Sequence, residues 1–167
     1  MGTMAAVAAL LLSWPIGSAP SPTLADLLGA GTLPTLAGPV VAAADLRNRV
    51  VLVDVWATWC APCLAEMPTL RDLHQRHAGT LTIVGVSVDS RTRRDLRQWL
   101  QRQNVTWPQV FDGRGLTGPL AMQLGVDRLP RSFLFDHRGR LVATDLRGDA
   151  LVAAIDTLAA AAGREPR

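Results

Sequence analysis

Cysteine occurs twice in this chain of 167 residues, at Cys60 and Cys63, with Ala61 and Pro62 between them. An apolar, β-branched run that ends at Trp56 precedes the pair, and residues with helical spacing follow it. Two thiols at this spacing can close a small disulfide ring. A helix N-terminus favours the thiolate over the thiol through its dipole and its unpaired N–H groups. The pair is therefore suited to exchanging electrons with other proteins.

Three other uses of the cysteines are less well supported. A ring over two intervening residues would constrain little of the unfolded chain, so it would be a poor structural staple. A zinc site could add His74 and His77, but their spacing is one residue short of the zinc-finger range, and one helix is predicted there. Leu64 stands where a haem attachment motif requires histidine. We expect no metal and no cofactor beyond the Cys60–Cys63 disulfide itself.

Composition indicates one globular domain, with 49% hydrophobic and 19% charged residues. All 17 basic residues are arginine, and the net charge is +3. These arginines are spread along the chain, no basic run exceeds the pair Arg93-Arg94, and aromatic residues are not interleaved with them. A nucleic-acid partner is therefore not expected.

The N-terminus is apolar from Met4 to Leu12, which suits a signal-peptide core and is short for a membrane span of about 20 residues. We expect a signal peptide or N-terminal anchor over 1–19, a linker over 20–32, and an extracytoplasmic (periplasmic or cell-envelope) location. No basic residue precedes the apolar run, and Pro20 follows the small-residue site that ends at Ala19. A tail on a cytosolic protein therefore remains the alternative.

Strand and helix patterns alternate through the rest of the chain. The predicted elements are a hairpin over 33–43, strands over 50–56, 81–88 and 109–111, helices over 61–77, 91–103 and 116–124, a hairpin over 132–146, and a last helix with Asp149 as its N-cap. Pro68 should kink the first long helix without ending it. This order predicts an α/β domain over 33–162, with a central mixed sheet, helices on both faces and a tail over 163–167.

Two segments carry a family resemblance. The segment from Trp56 to Pro68, WATWCAPCLAEMP, resembles the thioredoxin superfamily, and within it the TlpA/ResA/DsbE-like extracytoplasmic thiol–disulfide oxidoreductases. The segment from Gly125 to Gly139, GVDRLPRSFLFDHRG, is similar to that family's cis-proline strand and hairpin. The resemblance covers roughly 33–162. It implies a thioredoxin-like fold with an N-terminal β-hairpin extension and a central αβ insertion, and thiol–disulfide oxidoreductase activity.

Helix geometry and the resemblance together assign the site residues. Cys60 opens the helix and is expected to be the nucleophile and the more exposed thiol, whereas Cys63 would resolve the mixed disulfide. The resemblance implies that Asp54 is a buried acid that takes the Cys63 proton. It also implies that Glu66 tunes the cysteine pair. The alternative for both acids is a carboxylate that faces solvent.

The resemblance also implies a substrate-binding surface. Pro130 matches the cis-proline, whose loop pairs with the substrate backbone. Leu129 and Arg131 flank it and would shape partner choice, although DsbE-type members often carry Glu after this proline. Trp59 and Pro62 are expected beside the dithiol, as is Trp56, although either tryptophan could instead belong to the core.

The expected partners are disulfide-containing protein substrates and an upstream, membrane-embedded thiol donor, with the protein acting as a monomer. Residues 61–62 contain no donor that stabilises the Cys60 thiolate, which predicts a reducing couple. Reduction of exported proteins, including apocytochrome c, follows from that direction. Two alternatives stay open. They are a peroxiredoxin-like peroxidase, disfavoured by Ala57 where threonine is usual, and a non-enzymatic adaptor or metallochaperone.

Overall fold

A computed structural model of the chain describes residues 23–24, 32–38 and 40–164. The strands and helices are β1 (Thr32–Pro34), β2 (Val40–Ala42), β3 (Val50–Trp56), α1 (Ala61–Arg76), β4 (Leu81–Ser87), α2 (Arg93–Arg102), β5 (Gln109–Val110), α3 (Pro119–Gln123), β6 (Arg131–Phe135), β7 (Leu141–Thr144) and α4 (Gly148–Ala162). The expected signal peptide or anchor over 1–19, most of the linker and residues 165–167 lie outside the described residues.

Five strands form the central sheet, in the order β5-β4-β3-β6-β7. The run β3-β4-β5 is parallel, and β6 and β7 join it as an antiparallel pair. Strand β3 is buried along its whole length, as expected for a continuous β-branched run at the centre of a sheet. The predicted mixed sheet and N-terminal hairpin are confirmed, the latter as the antiparallel pair β1–β2.

Helices cover both faces of this sheet, as predicted. One face carries Asp54 and Trp56, and the Trp56 ring centroid lies 5.1 Å from that of Trp99 on α2. Helix α1 packs against β4 and against α4, and α4 also packs against β3. Leu120 and Ala121 of α3 border a small pocket together with Val86 and Ser87 of β4.

Residues 23–24 contact the domain although they belong to the predicted linker. Thr23 forms a β-bridge with Arg140, and the Leu24 N–H donates to the Gly139 carbonyl at 2.9 Å. Leu24 is buried. Contacts of the domain therefore begin upstream of residue 33, the expected boundary.

Helix α1 continues through Pro68 to Arg76, as the spacing predicts. His74 packs edge-on against the Trp107 ring, with centroids 5.6 Å apart. His77 Nε2 lies 2.7 Å from the Asp156 carboxylate. At 1.5 Å per residue, both histidines lie about 20 Å along the helix from the cysteines, so the four residues cannot share one metal ion.

In the part of the chain that the structure describes, no helix combines the length and apolar character that a bilayer crossing requires.

The buried side-chain amide of Gln109 on β5 links three strands of the central sheet. The Trp56 indole Nε1–H donates to Gln109 Oε1 at 2.9 Å, and the Gln109 amide lies against Gly85 on the strand between them. A Cβ on residue 85 would overlap this amide. Gly85 is therefore required by close packing rather than by its backbone conformation.

Substituting Gly85→Ala is expected to destabilise the protein by about 1–3 kcal/mol, because the Gln109 amide and its bond to Trp56 must move. Gly79→Ala is the matched control, since no atom lies within 4 Å of its added Cβ, and it should change stability by less than about 0.5 kcal/mol. Chemical denaturation measures both variants. Equal stabilities would contradict the packing argument.

Candidate active site

The two cysteines form a disulfide in the first turn of α1, with their Cα atoms 5.3 Å apart. Cys60 is the N-cap, and its Sγ accepts the Cys63 N–H at 3.3 Å. The two residues are almost equally buried, with exposures of 5% and 4%. Residue exposure therefore does not distinguish the two cysteines in the oxidised form, and the greater exposure of the Cys60 thiol stays a prediction for the reduced protein.

A buried carboxylate that the sequence analysis missed holds the turn before Cys60. Asp89 Oδ1 and Oδ2 accept the Thr58 hydroxyl at 2.6 Å and the Thr58 N–H at 3.0 Å. The Ser87 hydroxyl also donates to Oδ2, at 2.9 Å. An aspartate directly after an apolar strand was the available signal. These hydrogen bonds therefore tie the turn before Cys60 to the end of β4.

The tryptophans near the disulfide divide between surface and core. Trp59 is 62% exposed and Pro62 is exposed as well, so apolar surface flanks the bridge on both sides of Cys60. Trp56 is completely buried. Only Trp59 can therefore meet a partner, and Trp56 belongs to the core.

The Leu129–Pro130 peptide bond is cis, as the resemblance implies. Strand β6 begins at the next residue, and Arg131 pairs with Val55 on β3. Because β3 leads directly into the turn before Cys60, the proline loop lies at the same end of the sheet as the disulfide. Both Leu129 and Pro130 are half-buried.

The Arg131 side chain, expected to shape partner choice, forms an ion pair within the chain. Its Nη1 lies 2.6 Å from Asp145 Oδ2, and its guanidinium carbon is 5.4 Å from the centre of the Phe133 ring. Asp145 Oδ1 accepts the Ser132 N–H at 3.0 Å. An internal carboxylate therefore already neutralises the Arg131 charge.

Asp54 is buried, with an exposure of 5%, so the solvent-facing alternative is wrong. Burial raises its pKa from 3.8 to about 7. The Arg147 guanidinium opposes this rise, and the Glu66 carboxylate adds to it. A carboxyl group in this environment can both accept and release a proton near neutral pH.

Glu66 makes a contact that its spacing from the cysteines does not reveal. Its two carboxylate oxygens accept the Gly148 N–H at 3.1 and 3.3 Å. Helix α4 therefore begins at Gly148, and the prediction of Asp149 as its N-cap is wrong. The anion that complements the helix dipole comes from α1, since Glu66 spans the gap between the two helices.

A cavity of about 620 Å³ lies away from this site. It is bordered by residues of the N-terminal hairpin, α2 and the β5 region, including Leu36, Arg97 and Trp107. None of the sequence-predicted site residues lines it. The disulfide and the residues around it are therefore separate from this cavity.

Residues 23–144 match the model of the AhpC/TSA family, which is more than two thirds of the chain. The chain belongs to the AhpC/TSA family. Curated proteins similar to this AhpC/TSA chain include the thiol:disulfide interchange protein DsbE of Pseudomonas fluorescens, 33% identical over 121 residues that make up 72% of this chain and 65% of that protein. The thioredoxin-like protein YneN of Bacillus subtilis is 29% identical over 110 residues, 65% of this chain and 62% of YneN. The chain thus spans somewhat less than two thirds of these relatives.

Solved structures confirm the thioredoxin-like fold of this AhpC/TSA member. A thiol-disulfide oxidoreductase from Bacteroides fragilis superposes with a TM-score of 0.68 at 28% identity, over 76% of this chain and 95% of that one. A putative DsbE from Chlorobium tepidum gives a TM-score of 0.64 at 28% identity, over 78% and 91% of the two chains. The resemblance inferred from the two segments is therefore confirmed.

Proposed function

We propose that this protein is a thiol–disulfide oxidoreductase of the ResA/DsbE type that works through Cys60 and Cys63. The observation that carries the proposal is the bridged cysteine pair at the start of α1, at the sheet end that holds the cis-proline loop. The buried Asp54 lies on β3, the strand that leads into the turn before Cys60. The names of the similar proteins, thiol-disulfide oxidoreductases and DsbE, support the same activity.

The reduced protein would act by thiol–disulfide exchange. The Cys60 thiolate attacks one sulfur of a substrate disulfide, that disulfide breaks, and its other sulfur leaves as a thiolate. Asp54 takes the proton of the Cys63 thiol, and the Cys63 thiolate attacks Cys60 Sγ. The mixed disulfide breaks, the Cys60–Cys63 bridge forms, and the substrate has gained two electrons.

The remaining parts of the proposal concern direction, location and partners. Ala61 and Pro62 offer no side-chain donor to the Cys60 sulfur, which supports a reductase rather than an oxidase. We place the protein outside the cytoplasm as a monomer, with a membrane-embedded thiol donor upstream and exported proteins, including apocytochrome c, as substrates. The names DsbE and ResA among the similar proteins support this placement. The cysteine pair serves as the only redox group.

Turnover with insulin as a model substrate and dithiothreitol as the electron source tests the activity. The wild-type protein should accelerate insulin reduction, and a variant with both cysteines changed to serine should not.

Titration against a dithiothreitol redox buffer should give a midpoint near that of thioredoxin, about −270 mV, rather than the oxidising value of DsbA, about −120 mV. An oxidising midpoint would overturn the reductase direction. Peroxide consumption without insulin reduction would favour the peroxidase alternative.

A further inference from the structure

Arg147 is a half-buried residue whose guanidinium has part of its hydrogen-bonding capacity unused. The residue precedes α4, and its Nη1 donates to the Ser132 hydroxyl at 2.8 Å and to the Leu146 carbonyl at 2.9 Å. Its Nη2 is buried and has no hydrogen-bond partner among the described residues. A nearby negative charge would stabilise a cation whose Nη2 is removed from water.

Asp54 is the acidic residue that the strand register brings next to the Ser132 hydroxyl bound by Arg147. Ser132, which holds Nη1, is the residue directly opposite Asp54 in the antiparallel pair β3–β6. Side chains of directly opposed residues project from the same face, with Cβ atoms about 5 Å apart. The Arg147 guanidinium is therefore anchored on the immediate cross-strand neighbour of the buried acid.

We propose that Arg147 is a positioning residue for proton transfer: anchored on Ser132, it stabilises the ionised Asp54 carboxylate so that this group can accept the Cys63 proton. The inference rests on the proposed function, because the proton moves only when Cys63 resolves a mixed disulfide. Arg147 itself touches neither sulfur nor substrate in this scheme. It acts through Asp54.

The charged groups that face Asp54 make the direction of the effect clear. Helix α1 contributes Glu66, whose negative charge disfavours a second one nearby. The start of α4 contributes Arg147, the cation in this set. The residues paired with Asp54 on β4 and β6 carry no ionisable side chain. The pKa of Asp54, already raised by burial, should therefore rise further without Arg147.

The affected step is the resolution of the mixed disulfide. The Cys63 thiol gives its proton to a carboxylate oxygen of Asp54, and the thiolate attacks Cys60 Sγ. The bond between Cys60 and the partner breaks, the bridge between the two cysteines forms, and the partner leaves as a thiolate that takes a proton from water. If Asp54 is already protonated, it cannot accept the Cys63 proton, and the step is slow.

Substituting Arg147→Met removes the charge and keeps an unbranched side chain. We expect the pH midpoint of mixed-disulfide resolution to move upward by about one unit, with a rate about tenfold lower at pH 6.5 and little change at high pH. Arg147→Lys retains the charge and should largely restore the profile. Arg102→Met, an exposed position at the end of α2, is the control for overall charge and should leave the midpoint unchanged.

A second measurement does not depend on turnover. The carboxyl carbon of Asp54, followed by NMR in the oxidised protein, should titrate about one pH unit higher in Arg147→Met than in wild type. A midpoint that stays in place, or a rate lowered equally at every pH, would overturn the proposal and leave Arg147 a structural residue. If Arg147→Met does not fold, Ser132→Ala removes the anchor and must give an upward shift of the same sign. A wild-type protein that exchanges no thiols would instead refute the proposed function.

Discussion

Replacing Cys63 with serine is expected to leave the protein covalently bound to its substrates. Cys60 can still attack a substrate disulfide, but the serine hydroxyl at position 63 cannot displace the partner from its sulfur. Mixed disulfides should therefore accumulate, and turnover with insulin should fall by more than about a thousandfold. Non-reducing electrophoresis detects the adducts, and mass spectrometry of the trapped species identifies the natural partners.

The matched controls are Cys60→Ser and the variant that lacks both cysteines. Neither should form adducts, although both should lose turnover to the same extent. The near-equal burial of the two cysteines in the oxidised form makes this comparison necessary, because exposure does not distinguish the attacking thiol. Adducts that form only with Cys60→Ser would reverse the assignment of the two roles.

Replacing Asp54 with asparagine is expected to stabilise the oxidised protein at alkaline pH. Burial raises the pKa of Asp54 from 3.8 to about 7, whereas the unfolded chain keeps the ordinary value. At pH values below 3.8 the carboxyl is neutral in both states and imposes no penalty. As the pH rises toward and through 7, the unfolded state ionises first, and the wild type should lose about 4 kcal/mol of stability. Asparagine cannot ionise and avoids this loss.

Denaturant unfolding of both oxidised proteins at several pH values measures the effect. The difference in unfolding free energy should change by about 4 kcal/mol in favour of Asp54→Asn between pH 4 and pH 8. Asp127→Asn, at a position whose side chain is 75% exposed, is the control and should show no comparable trend. Parallel curves for wild type and Asp54→Asn would show that the carboxyl ionises in the fold without penalty. A stabilised variant that resolves mixed disulfides slowly would indicate that the acid is retained for function.

Local patterns predicted most of the elements. The β-branched run of β3 and the helical spacing of α1 are properties of short segments, so they could be recognised without any tertiary contact. The position of Cys60 at the start of α1 follows from the same patterns. The start of α4 was misplaced because its capping carboxylate belongs to Glu66, which lies 82 residues away from Gly148 in the chain.

Contacts over long sequence separations account for the parts of the site that were missed. Asp89 binds Thr58 across 31 residues, and Asp145 neutralises Arg131 across 14. Ser132, whose hydroxyl accepts a hydrogen bond from Arg147, lies opposite Asp54 because of the register between β3 and β6. The spacing of residues within one segment cannot predict such pairs, because each pair depends on how separate elements pack together.

The sequence alone determined the redox chemistry, because two thiols three residues apart at the start of a helix can form a disulfide independently of the rest of the fold. It did not determine the proton chemistry, because an isolated aspartate titrates near 3.8 and acquires a pKa of about 7 only when packing removes water from it. Packing also brings Arg147, which lowers the pKa of that carboxyl, and Glu66, which raises it, within electrostatic range. Desolvation and charge proximity are properties of the assembled fold, so the spacing of residues along the chain could not reveal them.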